Sequence, residues 1–388
     1  MIRVGIECEQ LEGNRFGIGE TLAQFLETVS HMPDIEKRFR FVLYFKASIP
    51  ADPFLHHPAF EKKVLMQDKG FFNISFNIFY HILLPLRYWT DRINVFYFPS
   101  YMLPAFFIGK AIVVLVNDVY REAHGRDVPF KHRVSYLLFC WWAARRAHIM
   151  TISEFSKKEL QQFYHIPNKR IFVNPWGMER VLKIFSRDDE YRARITEIKK
   201  RYGILDKFFL SIGQAFPRRH IKEAIEAFGI IAREFPDTQY LVGCVDRYHP
   251  PVLQRLAEET NKKEGREAIV ITNYFPRGDV PYLMNEMTAL VYVSSFEALG
   301  IPPIEAGLCG RPAIVKDNDI SSEIFGEVGY FVKDSNDPRS IAEKMERILK
   351  NKDDVVAIIK KQSTQLSRYN WQTHTERLLG IINETIGK

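Results

Sequence analysis

Two series of short Val- and Ile-rich runs, separated by segments of helical periodicity, constrain this chain more than any other feature. Runs at 2–7, 40–46, 93–98, 111–116, 148–152 and 170–174 form the first series. Runs at 207–213, 238–243, 268–272, 289–293, 312–316 and 329–332 form the second. Helical patterns lie between them, at 19–30, 131–147, 154–164, 219–235, 279–287, 302–309 and 338–349. Strands that are apolar along their whole length are covered on both faces, so the alternation predicts α/β structure with parallel, doubly wound sheets. The alternation restarts after a stretch rich in Arg, Lys, Asp and Glu, 186–206. The reading is therefore two Rossmann-like domains, 1–178 and 179–370, with a linker at about 178–206 and a C-terminal helix over 371–388 returning to the first domain. Such sheets bind ligands at the carboxyl ends of their strands, where the strand order reverses. The site is expected in the cleft between two facing domains, on residues just after strands.

Composition narrows the class. The chain has 388 residues, 46% of them hydrophobic and 26% charged, which is globular rather than disordered. No run of about 18 apolar residues is present, so no spanning helix is expected. Met1-Ile2-Arg3-Val4 reads as the start of a strand and not as a signal peptide. Cys8, Cys140, Cys244 and Cys309 have no metal or redox spacing, which fits a reducing cytoplasm. Charge is uneven. Residues 1–185 hold 24 Lys+Arg and 17 Asp+Glu, whereas 186–388 hold 30 of each. The whole excess of +7 sits in the first half, where it suits either an anionic partner or ordinary solubility.

The segment from Ser295 to Ala306 carries the most chemistry. It leaves the run 289–293, turns at Gly300 and enters a helix at Pro302-Pro303, whose φ is preset for a first turn. The N–H groups of Leu299, Gly300 and Ile301 are placed to face an anion at the helix start. Glu297 lies on the turn, and Glu305 follows eight residues later, one turn inside the helix. Carboxylates accept hydrogen bonds from paired hydroxyls, so two of them around an amide nest suit a ligand with sugar hydroxyls on both sides of a diphosphate. An acidic helix N-terminus that merely opposes the helix dipole is the alternative.

The segment Glu297–Glu305, EALGIPPIE, resembles the signature of family-4 retaining glycosyltransferases of the GT-B fold. Further along the chain, Phe16-Gly17-Ile18-Gly19 resembles that family's glycine loop. TISEFSKKEL (151–160), NPWGME (174–179), SIGQAFPRRHIKEAIEAF (211–228), SSEIFGEVGYFV (321–332) and SRYNWQTHTERLL (367–379) follow in the family's order. The pattern is most similar to bacterial enzymes that build O-antigen and other surface polysaccharides. The resemblance implies transfer of a hexose or deoxyhexose from a nucleoside-diphosphate sugar to a glycan or lipid-linked acceptor, with retention and without metal. It implies that Glu297 contacts the transferred sugar and that Glu305 holds the ribose. It also implies that the amides of Leu299, Gly300 and Gly17 touch the diphosphate or sugar, and that Asn273-Tyr274-Phe275 line the base pocket through their backbone.

Two departures stand out. After Gly213 the family has Arg and, five residues later, Lys; here the positions hold Gln214 and Arg219, with Arg218 beside the latter. Arg219 is adequate in kind to stabilise a diphosphate leaving group, because its fork clamps phosphate. Asn117-Asp118 stands where many members have His-Asp. An amide bonds a sugar hydroxyl but relays no proton, and Asp118 is left to orient the acceptor or a neighbour. No Asp-x-Asp is read after a strand and the 11 histidines lack ligand spacing, so no metal cofactor is expected. A nucleotide-sugar 2-epimerase of the same architecture, and a donor-binding subunit of weak activity, stay open as alternatives.

An aromatic stretch at 71–80 and a helix running from Lys131 and Arg133 to Arg145 and Arg146 set apolar residues between cations. Both suit the surface of an anionic membrane, at the inner face where a lipid-linked acceptor resides, and both also suit an ordinary core helix.

Overall fold

The computed structural model describes residues 1–387 apart from 14, 16, 67–75, 125–129 and 179–181; the side chains of 122–124 and 130–132 are also outside it. Phe16, residues 71–75, Glu179 and the Lys131 side chain therefore lie outside the described residues. The chain forms two compact units, Met1–Gly177 with Asn370–Lys388, and Met178–Tyr369.

In the first unit seven strands, β1 (Ile2–Glu7), β2 (Phe39–Phe45), β3 (Phe60–Val64), β4 (Val95–Phe98), β5 (Ala111–Val114), β6 (His148–Thr151) and β7 (Ile171–Val173), lie in the order β3-β2-β1-β4-β5-β6-β7. All neighbours are parallel, with Val4 opposite Phe41 on one side and Val95 on the other. The edge strand β3, Phe-Glu-Lys-Lys-Val, is not an apolar run. Its charges suit an edge, where Glu61 pairs with Arg3 and Lys63 with Asp91. One face of this sheet is covered by helix α1 (Ile18–Ser30) and by the terminal helix Trp371–Gly387, which contributes Leu378, Leu379, Ile381 and Ile382 to the core. The other face packs against residues 76–90, α2 (Asn117–His124), α3 (Phe130–Arg146) and α4 (Glu154–Tyr164).

The second unit holds β8 (Lys207–Ala215), β9 (Thr238–Asp246), β10 (Ile269–Thr272), β11 (Ala289–Tyr292), β12 (Ala313–Lys316) and β13 (Tyr330–Val332), in the order β10-β9-β8-β11-β12-β13 and again all parallel. The polar stretch 186–206 contains helix α5 (Asp189–Tyr202). Asp188 caps it by accepting from the Tyr191 N–H at 2.9 Å, and Gly203 ends it at φ 67°. Tyr191, Ile195 and Ile198 give it a buried stripe spaced four and three residues apart. Arg194 and Arg201 both reach the fully buried Asp279 at 2.7 Å, and Tyr202 Oη donates to the same carboxylate at 2.9 Å.

Candidate active site

β8 and β11 are neighbours where the strand order of the second sheet reverses, with Leu290 opposite Leu210. The loops leaving their carboxyl ends therefore run side by side. The loop after β8 makes a tight turn over Pro217–Arg219, and His220, at φ 53°, starts helix α6 (Ile221–Ile231). The loop after β11 carries Ser294–Gly300. The Ser295 N–H donates to the Arg218 carbonyl at 2.8 Å, and His220 Nε2 lies 2.5 Å from Ser295 Oγ. Burial holds the His220 imidazole below its ordinary range, so the ring is neutral at neutral pH.

This suture brings together residues from distant parts of the sequence. The Arg219 guanidinium lies across Gly213, where a Cβ would sit only 2.7 Å from Nη1; Gly213 also has φ 110°, so the strand requires glycine on both counts. Arg219 stands over the Tyr292 ring at 5.3 Å, and its Nε is 3.4 Å from Glu297 Oε1. Ser294 Oγ donates to the same Glu297 oxygen at 3.0 Å. Burial works against the charge on Arg219, but Tyr292 and Glu297 outweigh it and push the guanidinium pKa above its ordinary value. Arg218 is held between the rings of Phe216 and Phe296, at 5.3 and 5.0 Å. Among the described residues, buried Arg218 Nη1 has no hydrogen-bond acceptor, and Arg219 Nε has only the long contact to Glu297. Two cationic donors at one loop are the arrangement an anion completes.

The helix after this loop, α7 (Ile301–Leu308), begins at Gly300, whose φ of 72° turns the chain in, and Pro302 lies in its first turn. Leu299 is buried, so its backbone amide rather than its side chain is what it offers a ligand. Glu305 is half-buried one turn along. Gln214 is exposed and accepts from Arg247 Nε at 3.1 Å. Arg247, just past β9, thus brings a guanidinium to the position where Gln214 lacks one. It was not singled out from the sequence, because the contact depends on β8 pairing with β9. Phe275 is a core residue: its ring fills the space above Gly243, so its contribution to any ligand is its backbone. Tyr274 beside it is 71% exposed.

In the first unit, Gly17 (φ 48°) precedes α1, and Gly19 lets that helix approach the Gln10 carbonyl, which a Cβ would meet at 2.2 Å. Asn117 opens α2 with no exposed surface. Its N–H donates to Ser156 Oγ at 3.1 Å and its Nδ2 to Glu159 at 2.7 Å, while Arg121 Nε donates to the same Glu159 oxygen at 3.1 Å. Ser156 and Glu159 on α4 thus hold the backbone N–H and the Nδ2 of Asn117, while its Oδ1 is buried with no hydrogen-bond donor among the described residues. Asp118 is half-buried at the next position. Glu7, at the carboxyl end of β1, is not among the residues the sequence singles out. It is 1% exposed, and burial pushes its carboxyl up to about 8, against the pull of the Glu9 amide.

An Asp-x-Asp triplet that the sequence reading overlooks, Asp317–Asp319, follows β12. Asn318 between them caps the next helix by accepting from the Ser321 N–H at 3.0 Å. Among the described residues, no group of three or more His, Cys, Asp or Glu is arranged to hold a metal ion.

Comparison with known proteins agrees with this architecture. Residues 194–365 match the family described as Glycosyl transferases group 1. The serotype-specific mannosyltransferase WbdA of Escherichia coli is 24% identical over 227 residues, 58% of this chain and 27% of that protein. The O-antigen chain mannosyltransferase B of Escherichia coli is 25% identical over 236 residues, 60% of this chain and 59% of that one. The matches thus span less than two thirds of these relatives, 27% of one and 59% of the other. The structure of WaaG, a glycosyltransferase involved in lipopolysaccharide biosynthesis, superposes with a TM-score of 0.67 at 16% identity, covering 98% of this chain and 99% of that one. Anabaena HepE in complex with UDP-glucose gives 0.68 at 13%, covering 99% and 100%. The chain therefore carries a Glycosyl transferases group 1 domain over residues 194–365, in a fold shared with GT-B glycosyltransferases.

Proposed function

We propose that this chain is a retaining, metal-independent hexosyltransferase that moves a hexose or deoxyhexose from a nucleoside-diphosphate sugar to a glycan or lipid-linked acceptor in surface-polysaccharide synthesis. The observation that carries the reading is the Gly213–Arg219–Glu297 cluster beside the start of α7. A diphosphate seated there is met by Arg219, Arg218 and the α7 amides, with Arg247 supplying the charge that Gln214 lacks. These groups stabilise the negative charge that grows on the leaving phosphate as the glycosidic bond breaks, the work a divalent cation does elsewhere. Glu297 faces the sugar hydroxyls from one side of that anion and Glu305 the ribose from the other. The O-antigen relatives and the UDP-glucose complex of HepE support the substrate class. The inferred setting is the cytoplasm, supported by four free, buried thiols.

The test is incubation of the purified chain with GDP-, UDP-, dTDP- and ADP-sugars in excess chelator, followed by NMR of the product anomer. Transfer or slow hydrolysis with the donor's configuration kept is the expected result. Inversion, isomerisation of the donor without release of nucleotide, or activity that appears only on adding a divalent ion to Asp317–Asp319 contradicts the reading.

A further inference from the structure

The first unit exposes apolar side chains in a pattern that folding does not require. Over residues 76–90, Phe79, Tyr80 and Leu84 are buried, while Ile78, Ile82, Leu86 and Trp89 face out at spacings of four, four and three. On α3, Cys140, Ala143 and Ala144 are buried, while Val134, Leu138 and Trp141 face out at four and three. Between the two, Phe106 and Ile108 project from a loop at 72% and 65% exposure. Each helix is thus apolar on two faces, and only one of them meets the core.

The three segments are fastened into one surface. His81 stacks on Phe139 with ring centroids 5.4 Å apart, and its Nδ1 accepts from the Ala105 N–H at 3.1 Å. Trp142 Nε1 donates to the Pro104 carbonyl at 3.2 Å. Each of these contacts joins residues next to exposed ones, so the three segments lie against one another. Among the described residues, nine of the seventeen exposed large hydrophobics belong to these three adjoining segments, which is clustering and not scatter.

Charge identifies the occupant. Residues 76–116 and 130–147 contain Arg87, Arg92, Lys110, Lys131, Arg133, Arg145 and Arg146, and one acidic residue, Asp91. Asp91 is already neutralised by Lys63 at 2.8 Å and accepts from Tyr44 Oη at 2.7 Å. Arg145 and Arg146 are exposed and stand over Trp141 and Trp142 at 5.2 and 5.3 Å, cations at the rim of an apolar patch. An apolar centre with exposed tryptophans and a cationic rim matches the interface of an anionic bilayer, where apolar groups enter the acyl boundary and cations meet phosphates. No helix among the described residues is long and apolar enough to cross a membrane, so the surface would lie on the bilayer.

We propose that residues 76–90, the loop 104–109 and the outer face of α3 form a docking surface for an anionic membrane. The inference rests on the first unit alone and stands whether or not the transfer reaction is as described. The test is flotation of the full chain with vesicles of phosphatidylethanolamine and phosphatidylglycerol, against phosphatidylcholine alone, at low and high salt. Recovery with the anionic vesicles only, released by salt, with a blue shift of tryptophan emission, is expected. Leu86→Asp with Leu138→Asp should abolish recovery. Arg145→Gln and Arg146→Gln should each weaken it about fivefold, the effect of removing roughly one interfacial charge. Circular dichroism and a thermal transition matching the wild type's confirm that each variant is folded. Equal recovery with neutral vesicles, or none with either, overturns the proposal. So does concentration-dependent dimerisation without lipid that Leu86→Asp abolishes, since the surface then belongs to a second copy.

Discussion

At the scale of single residues, the account turns on Arg219 lying over Gly213. Gly213→Ala puts a methyl 2.7 Å from the guanidinium on a backbone at φ 110°. It should destabilise the second unit by about 1–3 kcal/mol and displace Arg219. Arg219→Ala should leave the fold intact and lower kcat by about 10²–10³, because its charge matters most as the leaving group forms. Steady-state kinetics with circular dichroism separates the two; a near-normal kcat in folded Arg219→Ala would assign the anion to Arg218. Arg247→Ala should lower activity, and Gln214→Arg should rescue it by restoring a guanidinium at that position. Failure of rescue in a folded double variant counts against a role for Arg247. Glu7 offers a second residue-scale test. Its carboxyl is raised from 4.5 to about 8 by burial, so the folded state keeps a proton that the unfolded chain releases. Its stabilising contribution is complete below about pH 4.5 and is lost as pH rises towards 8. Glu7→Gln should therefore stabilise the protein by about 3 kcal/mol near neutrality and by little in acid. An equal change in Tm at both ends of that window would contradict the buried, protonated carboxyl. The chemistry-bearing types around Gly300 were legible because they follow one another along the chain. Arg247 beside Gln214, and Glu159 accepting from Asn117, were not, since each contact is made across strands or helices far apart in sequence.

At the scale of elements, the apolar runs read as strands because parallel strands are buried on both faces, and that signal survives without knowledge of the partners. β3 escaped because an edge strand answers to one neighbour and to solvent, and Glu61-Lys62-Lys63 looks like a loop. Helix α5 was hidden for a related reason: Tyr191, Ile195 and Ile198 are its only buried residues, set among charges that make it read as a polar stretch. The terminal helix is tied down by His374, whose Nδ1–H donates to the Pro175 carbonyl at 2.9 Å. Burial lowers this imidazole to about 4, so it folds neutral. Stability from this source is complete above the ordinary value of 6.5 and is lost as pH falls towards 4, by about 3 kcal/mol in all. His374→Asn keeps a donor for Pro175 and removes the titration. Its Tm should fall less steeply than the wild type's between about pH 6.5 and 4. Identical slopes would show that another group sets the acid limit.

At the scale of the whole molecule, two all-parallel sheets in tandem were legible from periodicity alone, and the motifs at 151–160, 174–179, 211–228 and 297–305 fall at or just after the ends of their strands. What periodicity left out is which nucleotide base, sugar and acceptor are used, because backbone contacts such as those expected of Tyr274 and Phe275 leave no side-chain signature. The central claim, that the loop after β8 and the start of α7 hold a nucleoside diphosphate with Glu305 on its ribose, is tested most directly by calorimetric titration. GDP, UDP, dTDP and ADP would each be titrated into the wild type, Arg219→Ala and Glu305→Ala. One nucleotide should bind the wild type at a single site. Binding should weaken in Glu305→Ala by about 2–4 kcal/mol, the worth of hydrogen bonds to a charged acceptor, and should weaken in Arg219→Ala as well. Tight binding that neither variant disturbs, or no binding of any of the four by the folded wild type, would contradict the account.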